Sequence, residues 1–371
     1  MSLVFLPHNS HQIKRHRGAA LILALLVVVI VVLLAGSISA DFLVTIRKIE
    51  NQLHSQQAYS YLRGAEGLAR QALQMDYDDA SNKDHISEGW LEVPQTFVTE
   101  QGVLSGIICD LQGRFNVNNL GASASASDAT SGPESNTSSA AAYTSDQEQF
   151  IRLLQVLPID PAINLDRARE ITESIIEWMD VNDEVNTLNG VETAYYSDLE
   201  TPYRAANRPF SDVSELRWIK GIDDVVFSAL QPYVMVLDAG VPLNVNAVPV
   251  ELIQSINSPG DLVPTSFADA SAVIEARDGD IDGGELGQLP TEQLNEGFNN
   301  VQDFLTQLGL NTSPSAESFA VESEYFLLKT ETIFLERSFT LFSLLHLDRQ
   351  NGAINVIRRG KTGFGQCPIK Q

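Results

Sequence analysis

Hydrophobic positions at the start of the chain form one apolar run that continues into a helical pattern. Residues 19–40 carry no charge, and Leu21–Leu34 is almost wholly aliphatic. A hydrocarbon core about 30 Å thick needs about 20 apolar helical residues, so this run predicts a membrane-spanning helix. Apolar residues then recur at spacings of three and four, with no proline between Ala19 and Met75. The same helix is therefore predicted to continue to residue 75 with one apolar face.

The charges that flank this run predict its orientation. Basic residues at positions 14–17 precede it and Asp41 follows it, which predicts a cytoplasmic N-terminus and a periplasmic remainder. Three interpretations stay open: a plain signal anchor, a secretory signal peptide cut near residues 35–37, and a basic leader cut after Gly18 that leaves the apolar helix in the mature protein. A signal peptide normally has a shorter apolar stretch, and the long helical continuation favours the leader.

The remaining chain alternates between helical and strand patterns. Short strands are predicted in residues 90–110. The Ser/Ala-rich stretch Gly121–Gln149 is interpreted as a flexible surface loop, because it buries too little apolar surface to order itself. Helical patterns fill residues 150–310, including one helix over Leu165–Met179. From Glu324 onward, alternation with a period of two predicts strands again.

These patterns predict an α+β fold in which the long N-terminal helix packs on an antiparallel sheet interrupted by a large, mainly α-helical insertion. The predicted segments are a cytoplasmic leader (1–18), the transmembrane part of the helix (19–40), its periplasmic part (41–75), the first part of the sheet (76–115), the insertion (116–317, with its loop at 121–149), and the last strands and tail (318–371). Two consecutive domains are the alternative, but the last strands would then lack a helix to cover them.

Acidic charge is concentrated in the predicted insertion. The formal net charge is −24, and residues 150–317 hold 8 basic and 28 acidic residues. A field of that sign repels phosphate backbones and attracts cations. The segment Ser211–Val234 resembles a helix-hairpin-helix or SAM-like region with its turn at Gly221, but Asp223 and Asp224 follow where DNA-binding versions meet phosphate. We therefore expect a protein contact or a structural role there, and no nucleic acid.

The N-terminal junction and four dispersed motifs resemble one protein family. The junction Arg17-Gly18-Ala19-Ala20-Leu21 and the long, half-apolar helix look like a type IV prepilin-like N-terminus. The motifs are, in chain order, Asp110–Asn118, Trp178–Glu184, Tyr203–Phe210 and Asn244–Ala247. With the last strands, they resemble the type II secretion system protein K family, the large minor pseudopilin, over nearly the whole chain. Four motifs in the expected order are much harder to meet by chance than any one of them.

This resemblance implies how the N-terminus is processed and where the protein resides. A prepilin peptidase would cut between Gly18 and Ala19, and Ala19 would be N-methylated. Mature position five, usually Glu in such proteins, is Leu23 here. A subunit without that carboxylate needs no subunit ahead of it, as expected at a fibre tip. The implied location is the bacterial inner membrane, with a single span and a periplasmic C-terminal domain.

The implied function is to start and to cap a pseudopilus that exports folded proteins across the outer membrane. The implied partners are minor pseudopilins of the I, J and H types, the pseudopilus, the prepilin peptidase and the inner-membrane secretion platform. A minor pilin of a type IV pilus or DNA-uptake system is one alternative, and a membrane-anchored periplasmic calcium-binding module is another. An enzyme is not expected, because the sequence has neither an H-E-x-x-H nor a G-x-S-x-G motif.

The acidic loop after the predicted helix Leu165–Met179 is the first candidate metal site. Several oxygen ligands close in sequence suit Ca²⁺, but Val185 stands where an EF-hand requires Gly. The family resemblance nevertheless implies calcium bound near this loop. The expected ligands are Asp180, Asp183, Glu184 and Glu192. A solvated acidic turn after a helix is the alternative.

A second acidic run and two cysteines are the remaining candidate sites. The run consists of Asp278, Asp280, Asp282 and Glu285, and its first three members follow the D-x-D-x-D-G spacing of a calcium loop. Leu289 occupies the closing position that needs Glu, so an ordinary acidic turn is the alternative. Cys109 and Cys367 are the only cysteines, and an oxidising periplasm would permit them to pair. Two unrelated thiols are the alternative, because a sequence does not supply the geometry.

Overall fold

One long helix opens the described part of the chain. The computed structural model describes residues 17–78, 83–86, 88, 94–99, 102–121, 143–279, 297–310, 312–334 and 337–361. Helix α1 spans Arg17–Asp78, so the prediction of one continuous helix over residues 19–75 is confirmed. The chain divides into two compact units, Met1–Ala58 and Tyr59–Gln371.

Within the first unit, α1 exposes its apolar side chains. The large aliphatic side chains from Leu21 to Leu34 are 46–69% exposed. Exposure to water costs about 25 cal/mol for each Å² of apolar surface, so this stem, residues 19–40, suits a lipid environment. Among the described residues, Ala20–Asp78 is the helix that is long and apolar enough to cross a membrane.

The second unit contains a five-stranded antiparallel sheet. In spatial order its strands are β1 (Gln95–Thr99), β2 (Gly102–Asp110), β7 (Tyr325–Phe334), β8 (Arg337–Asp348) and β9 (Ala353–Gly360). All four pairings are antiparallel. The strands predicted in residues 90–110 and after Glu324 are therefore confirmed. Strands β2 and β7 are neighbours although the helical part of the chain separates them in sequence.

The C-terminal part of α1 packs on one face of this sheet. One buried cluster joins Ala69 and Leu73 of α1 to Ile108, Phe326, Leu328, Leu345, Leu347 and Ile354 of the strands. A second cluster joins Leu62 and Ala65 to Leu104 and Leu341. The four α1 residues recur at helical spacing, so they share one face of the helix. The predicted combination of an N-terminal helix and an antiparallel sheet is confirmed.

The segment between β2 and β7 is mainly helical and has its own hydrophobic core. Its helices are α2 (Ser145–Val156), α3 (Leu165–Met179), α4 (Thr193–Ser197), α5 (Asp224–Leu230), α6 (Val250–Gln254), α7 (Phe267–Asp278) and α8 (Val301–Leu308). Two short parallel strand pairs accompany them, β3 (Phe115–Asn116) with β4 (Val234–Met235) and β5 (Leu243–Asn244) with β6 (Phe319–Ala320). Phe150, Ile171 and Tyr196 are fully buried in this core. The bounds of α3 agree with the predicted helix.

Two local predictions about this segment need correction. The loop predicted over Gly121–Gln149 ends earlier, because α2 begins at Ser145. Thr144 and Gln147 form a capping box, in which each side chain accepts the other residue's main-chain N–H, at 3.3 and 3.0 Å. Residues 122–142 lie outside the described residues. The first helix of the segment Ser211–Val234, predicted to resemble a helix-hairpin-helix, is a 3-10 helix over Val213–Trp218.

Candidate functional site

Helix α3 carries two buried glutamates on the side that meets the following loop. Asn164 caps the helix by accepting the N–H of Arg167 at 2.9 Å. Ile171 and Ile175 are fully buried in the core of the segment. Glu173 and Glu177 are 4% and 1% exposed, and their spacing of four places them one above the other. Burial of two carboxylates one turn apart requires donors or a cation to compensate them.

The loop that follows α3, residues 180–191, supplies donors from its main chain. Glu177 Oε1 accepts the N–H groups of Asn186 at 2.8 Å and Thr187 at 2.5 Å. Glu173 Oε2 accepts the N–H of Asn189 at 2.5 Å. The two carboxylates therefore fix the path of the loop along the helix.

Several side-chain oxygens around this loop are buried without a hydrogen-bond partner. They are Glu177 Oε2, Thr187 Oγ1, both carboxylate oxygens of Glu192, and Asn207 Oδ1. A Cβ atom on Gly190 would meet both the Thr187 hydroxyl and Glu177 Cγ, so these two side chains border the same space. Unpaired buried oxygens are costly, and Ca²⁺ takes six to eight oxygen ligands. These oxygens fit a hard cation.

Electrostatics connect Glu192 to the same site. Glu192 is 3% exposed. Burial, followed by the neighbouring carboxylates of Glu177 and Asp183, raises the pKa of Glu192 to about 7. Like charges held together disfavour ionisation, whereas a bound cation would favour it. The arrangement is therefore able to bind a divalent cation.

The four residues predicted as ligands differ in their surroundings. Glu192 and Asp183 lie close enough for their charges to interact. Asp180 Oδ2 accepts the side-chain amides of two asparagines in the same loop, at 2.7 and 2.9 Å. Glu184 is exposed, and its main-chain N–H donates to Asn182 Oδ1 at 2.7 Å. Of the predicted set, Glu192 and Asp183 are brought together with Glu177, and the assignment of ligands stays a prediction.

Glu177, Thr187 and Asn207 were missed in the sequence. Glu177 lies inside the helical repeat of α3, where a charged residue predicts only a solvated face. Asn207 has a left-handed backbone, with φ of 48°, which marks a constrained position in a residue other than glycine. Its N–H donates to Trp178 O at 3.0 Å and its amide to Asn182 O at 2.9 Å. Asn207 lies within the motif Tyr203–Phe210, so that motif marked the position without indicating its role.

The second predicted cation site lies largely outside the described residues. This holds for Asp280, Asp282 and Glu285. Asp278 is described, and its carboxylate accepts hydrogen bonds from Arg277 at 2.6 and 2.8 Å and lies 2.9 Å from His85 Nε2. Burial opposes ionisation of Asp278, but these contacts outweigh it and lower its pKa to about 2. The second site stays a prediction.

A different acidic cluster was not predicted. Asp76 at the end of α1 lies with Asp84 and Glu88, and the nearest carboxylate oxygens of all three are within 4.8 Å of one another. Burial raises the pKa of Asp84 to about 7 and that of Glu88 to about 8. Asp84 pairs with Arg349 and accepts the N–H of Ser323 at 2.5 Å. The guanidinium of Arg349 therefore already compensates part of the negative charge of this cluster.

The other predicted site residues lie on α1 and β2. Gly18 and Ala19 belong to α1, and the leader before Arg17 lies outside the described residues. Leu23 is 65% exposed on the stem. Cys109 on β2 is fully buried and is not a free thiol. Its predicted partner Cys367 lies outside the described residues, so their pairing stays a prediction.

Comparison with known proteins tests the family resemblance. The family model described as type II secretion system (T2SS), protein K, matches residues 113–239. A type II secretion system protein K from Pseudomonas aeruginosa is 32% identical to this chain over 362 residues, which cover 95% of this chain and 94% of the relative. The chain belongs to the type II secretion system protein K family. A family member from Klebsiella pneumoniae is 28% identical, with coverage of 93% of this chain and 96% of the relative.

A solved structure from the same family agrees with the fold. It is the crystal structure of the GspK-GspI-GspJ complex from the type 2 secretion system of enterotoxigenic Escherichia coli, one chain of which matches with a TM-score of 0.64 and 25% identity. The match covers 84% of this chain and 98% of that chain. Protein K is a minor pseudopilin, a structural component of the secretion system, which agrees with the expectation of no enzyme. A minor pilin of a type IV pilus is not favoured.

Proposed function

We propose that this protein K is the subunit at the tip of the pseudopilus, where it starts assembly and caps the fibre. The observation that carries the proposal is the stem, whose aliphatic side chains from Leu21 to Leu34 are 46–69% exposed within its unit. Such a surface requires lipid or other apolar helices as its surroundings. Before assembly, the stem spans the inner membrane once, and the C-terminal domain lies in the periplasm.

Processing by a prepilin peptidase would free the stem for assembly. The expected cut lies between Gly18 and Ala19, followed by N-methylation of Ala19. Helix α1 includes both residues, so the cut would leave a mature protein that begins with the helix. The mature protein would then have Leu23 at position five, without the carboxylate that pairs with the N-terminus of a subunit ahead.

A tip position also agrees with the large helical segment between β2 and β7. A type IV pilin-like fold is a long helix on an antiparallel sheet, and this segment adds bulk that would block addition of a further subunit above it. Its helix-hairpin-helix or SAM-like part would consist of the 3-10 helix Val213–Trp218, a turn at Gly221 with φ of 87°, and α5. Asp223 caps α5 by accepting two main-chain N–H groups, so we assign this part to protein contact.

The expected partners are the minor pseudopilins of the I, J and H types, the pseudopilus and the inner-membrane platform. The structural relative was solved with GspI and GspJ. The direct experiment is affinity purification of the full-length, tagged chain from membranes that also contain its I- and J-type partners. We expect both partners to be recovered together with the chain. Recovery of neither partner, or of type IV pilus subunits instead, would contradict the proposal.

We further propose that Ca²⁺ stabilises the helical segment at the site beside α3. Glu177 Oε2 and both oxygens of Glu192 are buried and have no hydrogen-bond partner, so these two carboxylates would hold the ion. Asp183, Thr187 and Asn207 are the next candidates. Calcium bound there would neutralise carboxylates that otherwise repel one another. A disulfide between Cys109 and Cys367 would be a second structural element of the periplasmic domain.

A further inference from the structure

We infer that Tyr143 and Glu173 are positioning residues for the cation site, which hold the loop in its binding geometry without touching the ion. This inference rests on the proposed site beside α3. The hydroxyl of Tyr143 donates to Glu173 Oε1 at 2.5 Å, and Glu173 Oε2 accepts the N–H of Asn189 at 2.5 Å. A single chain of hydrogen bonds therefore links a residue before α2 to the loop after α3.

The two glutamates of α3 have different roles in this arrangement. Both oxygens of Glu173 are occupied, one by a hydroxyl and one by a main-chain N–H. Glu177 uses Oε1 for the loop and leaves Oε2 buried without a partner. Glu177 thus has an oxygen that accepts no hydrogen bond and is free for a cation, whereas each oxygen of Glu173 already accepts one. Hydrogen-bonded groups that orient the ligands of a metal commonly change the affinity of the protein for that metal about 10–100-fold.

The loop has little freedom to compensate for the loss of this chain. A Cβ atom on Gly190 would lie 2.6 Å from Glu177 Cγ and 2.9 Å from Glu173 O, so the loop runs directly against the helix. Asn189 follows Thr187, whose hydroxyl oxygen is buried without a hydrogen-bond partner, and it precedes Glu192 by three residues. Release of the Asn189 N–H would therefore loosen the segment that places Thr187 and Glu192.

Tyr143→Phe and Glu173→Gln test this inference in the full-length chain in detergent micelles. The measured quantities are the dissociation constant for Ca²⁺ and the melting temperature in EDTA. We expect each substitution to weaken Ca²⁺ binding about 10–100-fold and, because a hydrogen bond to a buried carboxylate is lost, to lower the melting temperature in EDTA by a few °C. Unchanged Ca²⁺ affinity, with or without a lower melting temperature, would show a purely structural role and overturn the inference.

Two further variants separate this inference from the site on which it rests. Tyr233→Phe is the matched control, because Tyr233 is also a partly buried tyrosine beside a glutamate. Burial and the neighbouring Glu251 raise the pKa of Tyr233 to about 12. The affinity of the Tyr233→Phe variant for Ca²⁺ should equal that of the wild type. Glu177→Gln removes a ligand and should abolish binding. If Glu177→Gln binds Ca²⁺ like the wild type, the proposed site is wrong. If Glu177→Gln loses binding but Tyr143→Phe and Glu173→Gln stay within about twofold of the wild type, only the positioning roles are wrong.

Discussion

Arg359 on β9 donates two hydrogen bonds to the carboxylate of Glu66 on α1, from Nε at 2.7 Å and from a terminal nitrogen at 2.9 Å. Glu66 is 2% exposed, and Ser343 donates to it at 2.8 Å. Burial opposes ionisation of Glu66, but these contacts outweigh it and lower its pKa. The pair therefore connects the helix to the last strand of the sheet through an ion pair whose carboxylate is buried and whose guanidinium is partly exposed.

Loss of Arg359 should destabilise the second unit, because the buried carboxylate of Glu66 would keep only Arg63, at 3.3 Å, as a cationic partner. We expect Arg359→Met to lower the free energy of unfolding by about 3 kcal/mol, near the lower end for a buried pair because Arg359 is partly exposed. Adding Glu66→Gln removes the buried charge and keeps an acceptor for Ser343, so the double variant should regain most of this loss. Urea denaturation in micelles measures both changes.

The surface pair of Lys329 and Glu331, at 3.6 Å, provides the control for this comparison. Lys329→Met should change the free energy of unfolding by about 0.5 kcal/mol or less. An Arg359→Met variant that is no less stable than Lys329→Met would show that the Glu66 contact is unimportant for the fold.

The acidic cluster at Asp76, Asp84 and Glu88 predicts how stability depends on pH. The raised pKa values of about 7 for Asp84 and about 8 for Glu88 mean that the folded protein keeps protons that the unfolded chain has lost. Stability should therefore fall as the pH rises from about 5 to 8. Glu88→Gln should remove part of this dependence and stabilise the protein at pH 8 by about 1–2 kcal/mol.

Thermal unfolding in EDTA at pH 5 and pH 8 measures this dependence without metal ions. Glu317→Gln, at an exposed position, is the matched control and should keep the slope of the wild type. Equal slopes for Glu88→Gln and the wild type would contradict the assigned role of Glu88.

Local patterns predicted much of the fold, because helices and strands repeat over short stretches. The helix Leu165–Met179 follows from apolar residues at helical spacing, and the strands after Glu324 follow from alternation. The start of α2 was missed, because Thr144 and Gln147 lie in a Ser/Ala-rich stretch whose composition conceals a capping box. Composition describes average behaviour, whereas a cap depends on two particular side chains.

The candidate site was predicted less completely, because its geometry depends on contacts between distant residues. Glu192 and Asp183 were expected as ligands from the acidic loop and the family resemblance, and their role stays a prediction. Asn207 lies beside the loop only because its main chain returns to Trp178 O. The cluster of Asp84 and Arg349 joins residues that no local pattern connects. Such contacts follow from the fold and not from spacing.

Calcium should stabilise the protein, and Gly190 should be sensitive to substitution. At a free Ca²⁺ concentration 100 times the dissociation constant, binding adds about 2.7 kcal/mol to the free energy of unfolding.

Gly190→Ala forces a Cβ atom against Thr187 and Glu177, so it should weaken Ca²⁺ binding and lower stability in EDTA by about 1–3 kcal/mol.

The matched control for Gly190→Ala is Gly67→Ala on α1, where a Cβ atom would have no neighbour within 4 Å. That substitution should be neutral or slightly stabilising in a helix. Unchanged Ca²⁺ affinity in Gly190→Ala would mean that the ion binds elsewhere.

The Leu23→Glu substitution tests whether the missing carboxylate or the bulk of the helical segment keeps this subunit at the fibre tip. If the bulk of the helical segment is the main block to further addition, Leu23→Glu should not permit this subunit to occupy positions along the shaft. Gold labelling of the variant and the wild type on isolated fibres measures their positions. Repeated labels along the shaft, for either protein, would contradict a capping role.

The mature protein should keep the apolar stem and lack the leader. Mass spectrometry of the intact protein purified from cells distinguishes these segments, with a strain that lacks the prepilin peptidase as the control. We predict a mature N-terminus at Ala19 carrying one methyl group, and an unprocessed chain in the control strain. A protein that still begins at Met1 in wild-type cells, or that has lost the stem, would show that the stem does not join the pseudopilus in this way.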